Sequence, residues 1–208
     1  EYVIEMFQEA NEILGFKLED VVFEENTLIN QTRYTQLSVL VVTCALFEVV
    51  KRELGLSADV VSGFSLGEYS ALYASGIFSF KELVKLVNYR ANFMDEAAKE
   101  NPGAMAAIIN LDQDVLVAIC KRIGNVQIAN FNSPNQQVIS GLEESVQQVV
   151  DEVTNIHKKR AVKLNVSGGF HSPLMKNAAT NLEKVLEDFT PEKPNVPIIM
   201  NYNAKPLE

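Results

Sequence analysis

Apolar residues recur at helical spacing over residues 1–14, and the run stops at Gly15, a residue suited to the left-handed turn that closes a helix. A longer helical run over 35–54 closes at Gly55. Its uncharged stretch, 34–47, is shorter than the about 20 residues that span a bilayer. Arg33, Glu48, Lys51 and Arg52 bound it, so it reads as a buried core helix. Residues 58–62 form a short β-type run. It leads directly into Gly63-Phe64-Ser65-Leu66-Gly67, and a helix follows to about Ser75. Gly76 ends that helix, and Ser79-x-x-Glu82 is a capping box for the next, expected over 80–98. Asn101-Pro102-Gly103 is a break.

Beyond the break the rhythm changes. A strand is expected over 104–110, a helix capped by Asp112 to about 123, strands over 126–131 and 137–140, a helix over 143–155 and a strand over 161–166. This β-α-β-β-α-β order is the ferredoxin-like unit. Ser167-Gly168-Gly169-Phe170-His171-Ser172-Pro173 follows, with Ser172 as N-cap and Pro173 at the first position of a helix to about 189. A last strand is expected over 196–202. The predicted architecture is α/β: a large subdomain of 1–100 with 167–208, interrupted by a small ferredoxin-like subdomain, 101–166.

Composition narrows the function classes. The chain is 208 residues long, 47% hydrophobic and 22% charged, which suits a folded globular protein. Its net charge of −9 argues against a nucleic-acid partner, which needs a basic face. It leaves room for a small anionic substrate, because one arginine can hold a carboxylate locally. Cys44 and Cys120 make no C-x-x-C pair, and His157 and His171 are the only histidines, so no metal site or disulfide framework is expected. Reduced thiols and the absence of a visible leader or membrane span point to the cytoplasm.

Gly63-x-Ser65-x-Gly67 between a β-run and a helix is a candidate nucleophile elbow. The flanking glycines allow close chain passage, and the helix start offers the Leu66 N–H to an oxyanion. The alternative is a plain glycine-rich turn. A serine nucleophile needs a base. His157 lies in the solvated stretch His157-Lys158-Lys159-Arg160, whereas His171 stands between a glycine-rich loop and a helix cap, where catalytic groups of α/β folds collect. The alternative is a histidine that helps cap the helix.

Gly63-Phe64-Ser65-Leu66-Gly67-Glu68-Tyr69-Ser70-Ala71-Leu72 resembles the active-site signature of the malonyl-CoA:acyl carrier protein transacylase family. Gly169-Phe170-His171-Ser172 resembles its second signature, and Asn130-Phe131-Asn132-Ser133-Pro134 is similar to a further stretch found there. The resemblance runs over essentially the whole chain. It implies an α/β-hydrolase-like large subdomain with a ferredoxin-like insert. It also implies that Ser65 carries malonyl from malonyl-CoA to the phosphopantetheine thiol of acyl carrier protein in fatty acid biosynthesis, with His171 as base. Kinetics should be ping-pong, with no cofactor beyond the two substrates. Arg90 in Tyr89-Arg90-Ala91-Asn92 matches the family arginine for the malonyl carboxylate, Phe170 a position tied to malonyl preference, and Asn132 a substrate-side position. Without the resemblance Arg90 is simply a helical charge. A monomer is expected.

Two departures stand out. Phe64 occupies a position where many members have histidine. The chain also opens in what reads as the family's first helix and stops before its end, so it is expected to be truncated at both ends, without the loop that gives the second oxyanion donor, and weak or inactive alone. Three alternatives stay open: an acyltransferase loading or excised from a polyketide synthase; a serine acyl hydrolase on the same scaffold, although no acid between Ser65 and His171 stands out for its triad; and a non-catalytic docking module. Lys158, Lys159, Arg160 and Lys163 are a candidate patch for an acidic carrier protein.

Overall fold

In the computed structural model, which describes residues 1–207, the helical runs become α1 (Tyr2–Leu14), α3 (Thr32–Glu53), α4 (Gly67–Ser75) and α5 (Phe80–Glu100). A short helix that the sequence pattern did not indicate, α2 (Leu18–Val22), follows α1. The chain divides into two compact units, Glu1–Ala91 with the segment from Glu183 on, and Asn92–Leu182. The boundaries fall inside α5 and α8 (Lys176–Leu186).

In the first unit, Gly15 adopts φ 75° and its N–H returns to the Asn11 carbonyl, the left-handed closure expected for α1. α3 runs over 22 residues, close to the 35–54 expected, and by length and composition alone it is long and apolar enough to cross a bilayer. Helical bonding simply continues past the uncharged stretch through the polar residues at both ends. Leu37, Leu40, Val41, Cys44 and Ala45 of this helix are buried in the protein.

β1 (Val61–Ser62) pairs in parallel with β6 (Ile198–Ile199), Val61 opposite Ile198. Both strands are shorter than expected, because pairing is confined to these residues. Ala71, Ile77 and Ile198 form a small core around β1, with Val61, Leu72, Phe78 and Met200 against it. The β1–α4 connection, which holds Ser65, is therefore anchored at both ends.

Glu48 is 5% exposed, although it closes an apolar run. Its carboxylate accepts from Arg52 Nε at 2.7 Å and from the Tyr73 hydroxyl at 2.9 Å. Burial pushes the carboxyl's pKa up, but these two hydrogen bonds, with Lys51 and Arg52 nearby, outweigh it and hold the pKa below the ordinary value. A depressed carboxyl contributes stability above its unfolded pKa, about 4.3, and loses it as pH falls through the lower folded value. Glu48→Gln should therefore melt lower than wild type at pH 7 and flatten the decline in melting temperature below about pH 4.5. Thermal melts from pH 3 to 7 read both effects, and parallel profiles would contradict them.

The second unit holds β2 (Gly103–Ile109), α6 (Gln113–Ile123), β3 (Val126–Ser133), β4 (Gln136–Leu142), α7 (Glu143–Asn155) and β5 (Arg160–Lys163). The sheet order β3-β4-β2-β5 is antiparallel throughout, which is the ferredoxin-like arrangement expected from the element order. β2 alternates as a strand between two apolar layers must. Ala106 and Ile108 join Leu116, Ile119, Val146, Val149 and Val153 of α6 and α7, whereas Met105 and Ala107 turn to the other face with Val138. Burying each Leu, Ile or Val side chain there stabilises the fold by about 1.5–3 kcal/mol. Asp112 caps α6 as expected, accepting from the N–H groups of Asp114 and Val115 at 2.9 and 3.3 Å. The expected helix from Pro173 begins instead as a 3₁₀ turn, Pro173–Met175, before α8.

Candidate functional site

Ser65 lies in the tight turn between β1 and α4, with φ 52°, a left-handed value unusual for a residue with a side chain. The turn is closed by backbone bonds. The N–H groups of Gly67, Glu68 and Tyr69 donate to the carbonyls of Phe64, Ser65 and Leu66 at 2.9, 3.2 and 3.1 Å. Leu66 precedes this ladder as the residue that caps the start of α4, where helix N–H groups have no partner within the helix. The two glycines of the motif are not equivalent. A Cβ on Gly63 would lie 2.0 Å from the backbone carbon and oxygen of Gly67, whereas a Cβ on Gly67 would meet nothing within 4 Å. Sequence reasoning expected close passage at both, and the structure restricts it to Gly63. Phe64 is 59% exposed, so its ring fills no packed position beside the serine.

Arg90, on α5, reaches the same turn. Its Nη2 donates to Ser65 Oγ at 3.3 Å, and its guanidinium carbon lies 5.4 Å from the centre of the Tyr69 ring. Nη1 donates to Gln36 Oε1, from α3. Burial pushes the pKa of Arg90 down, and Tyr69 and Glu68 partly counter it. The group stays charged, because arginine does not deprotonate in proteins. Among the described residues it forms no ion pair. The Glu68 carboxylate instead accepts from the Asn201 N–H at 2.7 Å. A desolvated cation beside a hydroxyl, held by neutral groups, is suited to an anion that arrives with the substrate. Gln36 is the residue sequence reasoning missed. The one available signal was an amide inside an apolar helical run.

His171 belongs to the second unit, with Phe170 and Asn132. Its backbone is also left-handed, φ 57°, and its carbonyl accepts from Gln127 Nε2 at 3.0 Å. Ser172 caps the following turn as expected. Its hydroxyl donates to the Gly169 carbonyl at 2.5 Å and accepts from the Leu174 N–H at 3.3 Å. A Cβ on Gly168 would sit 2.6 Å from the Ala98 Cβ, so the loop before the histidine packs tightly. The cap is thus made by Ser172, and His171 itself is exposed. Phe170 packs against two apolar groups, Ala97, Ala98, Met175 and Ala178 on one hand and Met105, Ala107 and Val138 on the other. Asn132 is exposed at an irregularity of β3, and its amide donates to Gln136 Oε1 at 3.1 Å.

His157 stands 3.9 Å from a carboxylate oxygen of Glu152, which also pairs with Arg122. Burial pushes the Cys44 thiol up to about 12 and the Cys120 thiol to about 11, so neither is a thiolate nucleophile near neutrality. Among the described residues no group of three His, Cys, Asp or Glu side chains could hold a metal ion.

The family model described as acyl transferase domain matches residues 4–207. Malonyl CoA-acyl carrier protein transacylase of Bacillus subtilis is 41% identical over 204 residues, which cover 96% of this chain and 64% of that protein. The Escherichia coli K12 protein of the same name is 39% identical, over 98% of this chain and 67% of its own length. The present chain therefore spans about two thirds of the length of these relatives. Among solved structures, MCAT of Streptococcus pneumoniae superposes with a TM-score of 0.90 at 35% identity, covering 99% of this chain and 68% of that one. A malonyl-transacylase in complex with a type II PKS acyl-carrier protein gives 0.93 at 36% identity, with 99% and 68% covered.

Proposed function

We propose, from the premise that this chain belongs to the acyl transferase domain family, that it transfers malonyl from malonyl-CoA to the phosphopantetheine thiol of acyl carrier protein. Ser65 Oγ attacks the thioester carbonyl while His171 takes its proton. The oxyanion forms against the Leu66 N–H. Collapse breaks the C–S bond, and His171 returns the proton to the departing coenzyme A sulfur, leaving a malonyl ester on Ser65. The carrier thiol then gives its proton to His171 and attacks that ester, and Ser65 leaves reprotonated. Each substrate brings its own thiol, so the chemistry asks for no metal or redox group.

The observation that carries this reading is the 3.3 Å hydrogen bond from Arg90 to Ser65 Oγ. The free carboxylate of a malonyl ester is one methylene from the ester carbonyl, so its counter-ion must stand close to the nucleophile, as Arg90 does. Phe170 and Asn132 enter the reading as flanking substrate contacts, Phe170 favouring malonyl over bulkier acyl groups. The reading keeps 1–100 with 167–208 as the subdomain that carries the nucleophile and 101–166 as the ferredoxin-like one. It sets the protein in the cytoplasm and in fatty acid biosynthesis. A polyketide carrier is the second candidate acceptor, favoured by the solved relative held with such a carrier.

Arg90→Ala should slow malonyl transfer by about 10²-fold or more, since a buried charge-assisted pair is lost, while acetyl transfer falls by less than about fivefold. Steady-state rates with malonyl-CoA and acetyl-CoA measure the ratio. Equal losses would overturn the clamp and, with it, malonyl as the substrate.

A further inference from the structure

We propose that Gln36 is a positioning residue that holds Arg90 through a neutral acceptor and so keeps its positive charge available for the substrate carboxylate. The inference rests on the reading of Arg90 as the carboxylate clamp.

Gln36 is 6% exposed on α3, among the buried Leu37, Ser38, Leu40 and Val41. An amide buried there costs stability unless it is hydrogen-bonded. Its Oε1 accepts from Arg90 Nη1, across 54 residues of chain. A glutamate would fit the same space and make a stronger bond, because a charge-assisted hydrogen bond is about twice as strong as a neutral one. It would also neutralise the guanidinium before any substrate arrived. The other groups in direct contact with Arg90 are neutral too, the Ser65 hydroxyl at 3.3 Å and the Tyr69 ring at 5.4 Å, while the Glu68 carboxylate acts on it only through its field and accepts from the Asn201 N–H instead. Gln36 thus fixes one edge of the planar fork without cancelling its charge, and a bidentate anion can take the rest. A bare guanidinium would instead lose rotamer freedom each time it bound.

The test compares Gln36→Glu, Gln36→Leu and Arg90→Ala by the rate at which intact-mass measurement detects the acyl adduct formed from malonyl-CoA and from acetyl-CoA. Acetyl carries no carboxylate, so its rate reports whether the nucleophile and the fold survive. Gln36→Glu is expected to slow malonyl loading about a hundredfold and acetyl loading by less than about threefold, because the new carboxylate competes with the substrate's. Gln36→Leu is expected to raise the half-saturating malonyl-CoA concentration about tenfold with little change in the saturating rate, the mark of lost ground-state binding. If Gln36→Glu slows both donors alike, or neither, while Arg90→Ala still discriminates between them, Gln36 serves only packing and the proposal fails. If Arg90→Ala does not discriminate, the clamp reading fails and the proposal falls with it.

Discussion

Ser65→Ala will carry no acyl adduct after incubation with malonyl-CoA and will transfer malonyl at least about 10⁴-fold more slowly than wild type. Removing the nucleophile of a comparable serine machinery costs on that order or more, and the residue of catalysis comes from the oxyanion donor and binding alone. The substitution is informative because it spares the turn. The bonds that close it run from the N–H groups of Gly67, Glu68 and Tyr69 to backbone carbonyls, and none uses the serine hydroxyl. The hydroxyl's contact with Arg90, at 3.3 Å, is lost, but the arginine keeps Gln36 and Tyr69. The melting temperature should therefore stay within a few degrees of wild type, as a change of about 1 kcal/mol or less implies. Intact mass, a transfer assay and a thermal melt on the two proteins are sufficient. An adduct of undiminished yield on Ser65→Ala would move the nucleophile elsewhere and end the present reading.

Gly63→Ala should be the most damaging small substitution in the first unit. The new methyl group would lie 2.0 Å from the carbon and oxygen of Gly67 and 2.4 Å from the nitrogen of Glu68. All three are backbone atoms at the start of α4, so no side chain can swing aside. Either the turn opens or α4 shifts away from β1, where Ala71, Ile77 and Ile198 pack. We expect a loss of about 3 kcal/mol, the upper end of what forced overpacking typically costs, because only backbone can give way. Protein that does fold should transfer malonyl more than about 10²-fold slower, since the serine and its oxyanion donor would be displaced by about an ångström. Urea unfolding midpoints and the transfer rate of the folded fraction test both parts. A variant with wild-type midpoint and rate would mean that the tight turn has no mechanical role.

The helices and the ferredoxin-like unit were legible because their signals are local. Gly15, the Ser79–Glu82 box and the Asp112 cap mark helix ends within a few residues of the chain. The alternation along β2 and the β-α-β-β-α-β order then leave one familiar sheet arrangement. The serine turn was legible for the same reason. What escaped depends on distant partners. Gln36 reads as a polar interruption of an apolar run until Arg90 arrives from 54 positions later. Glu48 reads as the polar end of that run, yet it is buried because Arg52 and, 25 residues on, Tyr73 satisfy it. α2 carries too few residues for periodicity to register. The strand ends were overextended for a related reason. Ala58 and Val60, and Met200 and Tyr202, alternate with polar residues and so invite a strand, but pairing needs a neighbour at the right register, and β1 and β6 meet only over two residues each.

The inequality between the two glycines that flank Ser65 bears on how such proteins are found in genomes. Position 63 admits no side chain without a backbone shift, since even a methyl group collides there. Position 67 opens onto empty space and begins a helix, where alanine is favoured over glycine by about 0.5–1 kcal/mol. A pattern that demands glycine on both sides of the serine would therefore pass over any chain that carries alanine at the second site, although the fold has room for it. The more faithful probe is glycine two places before the serine, with the later position left free.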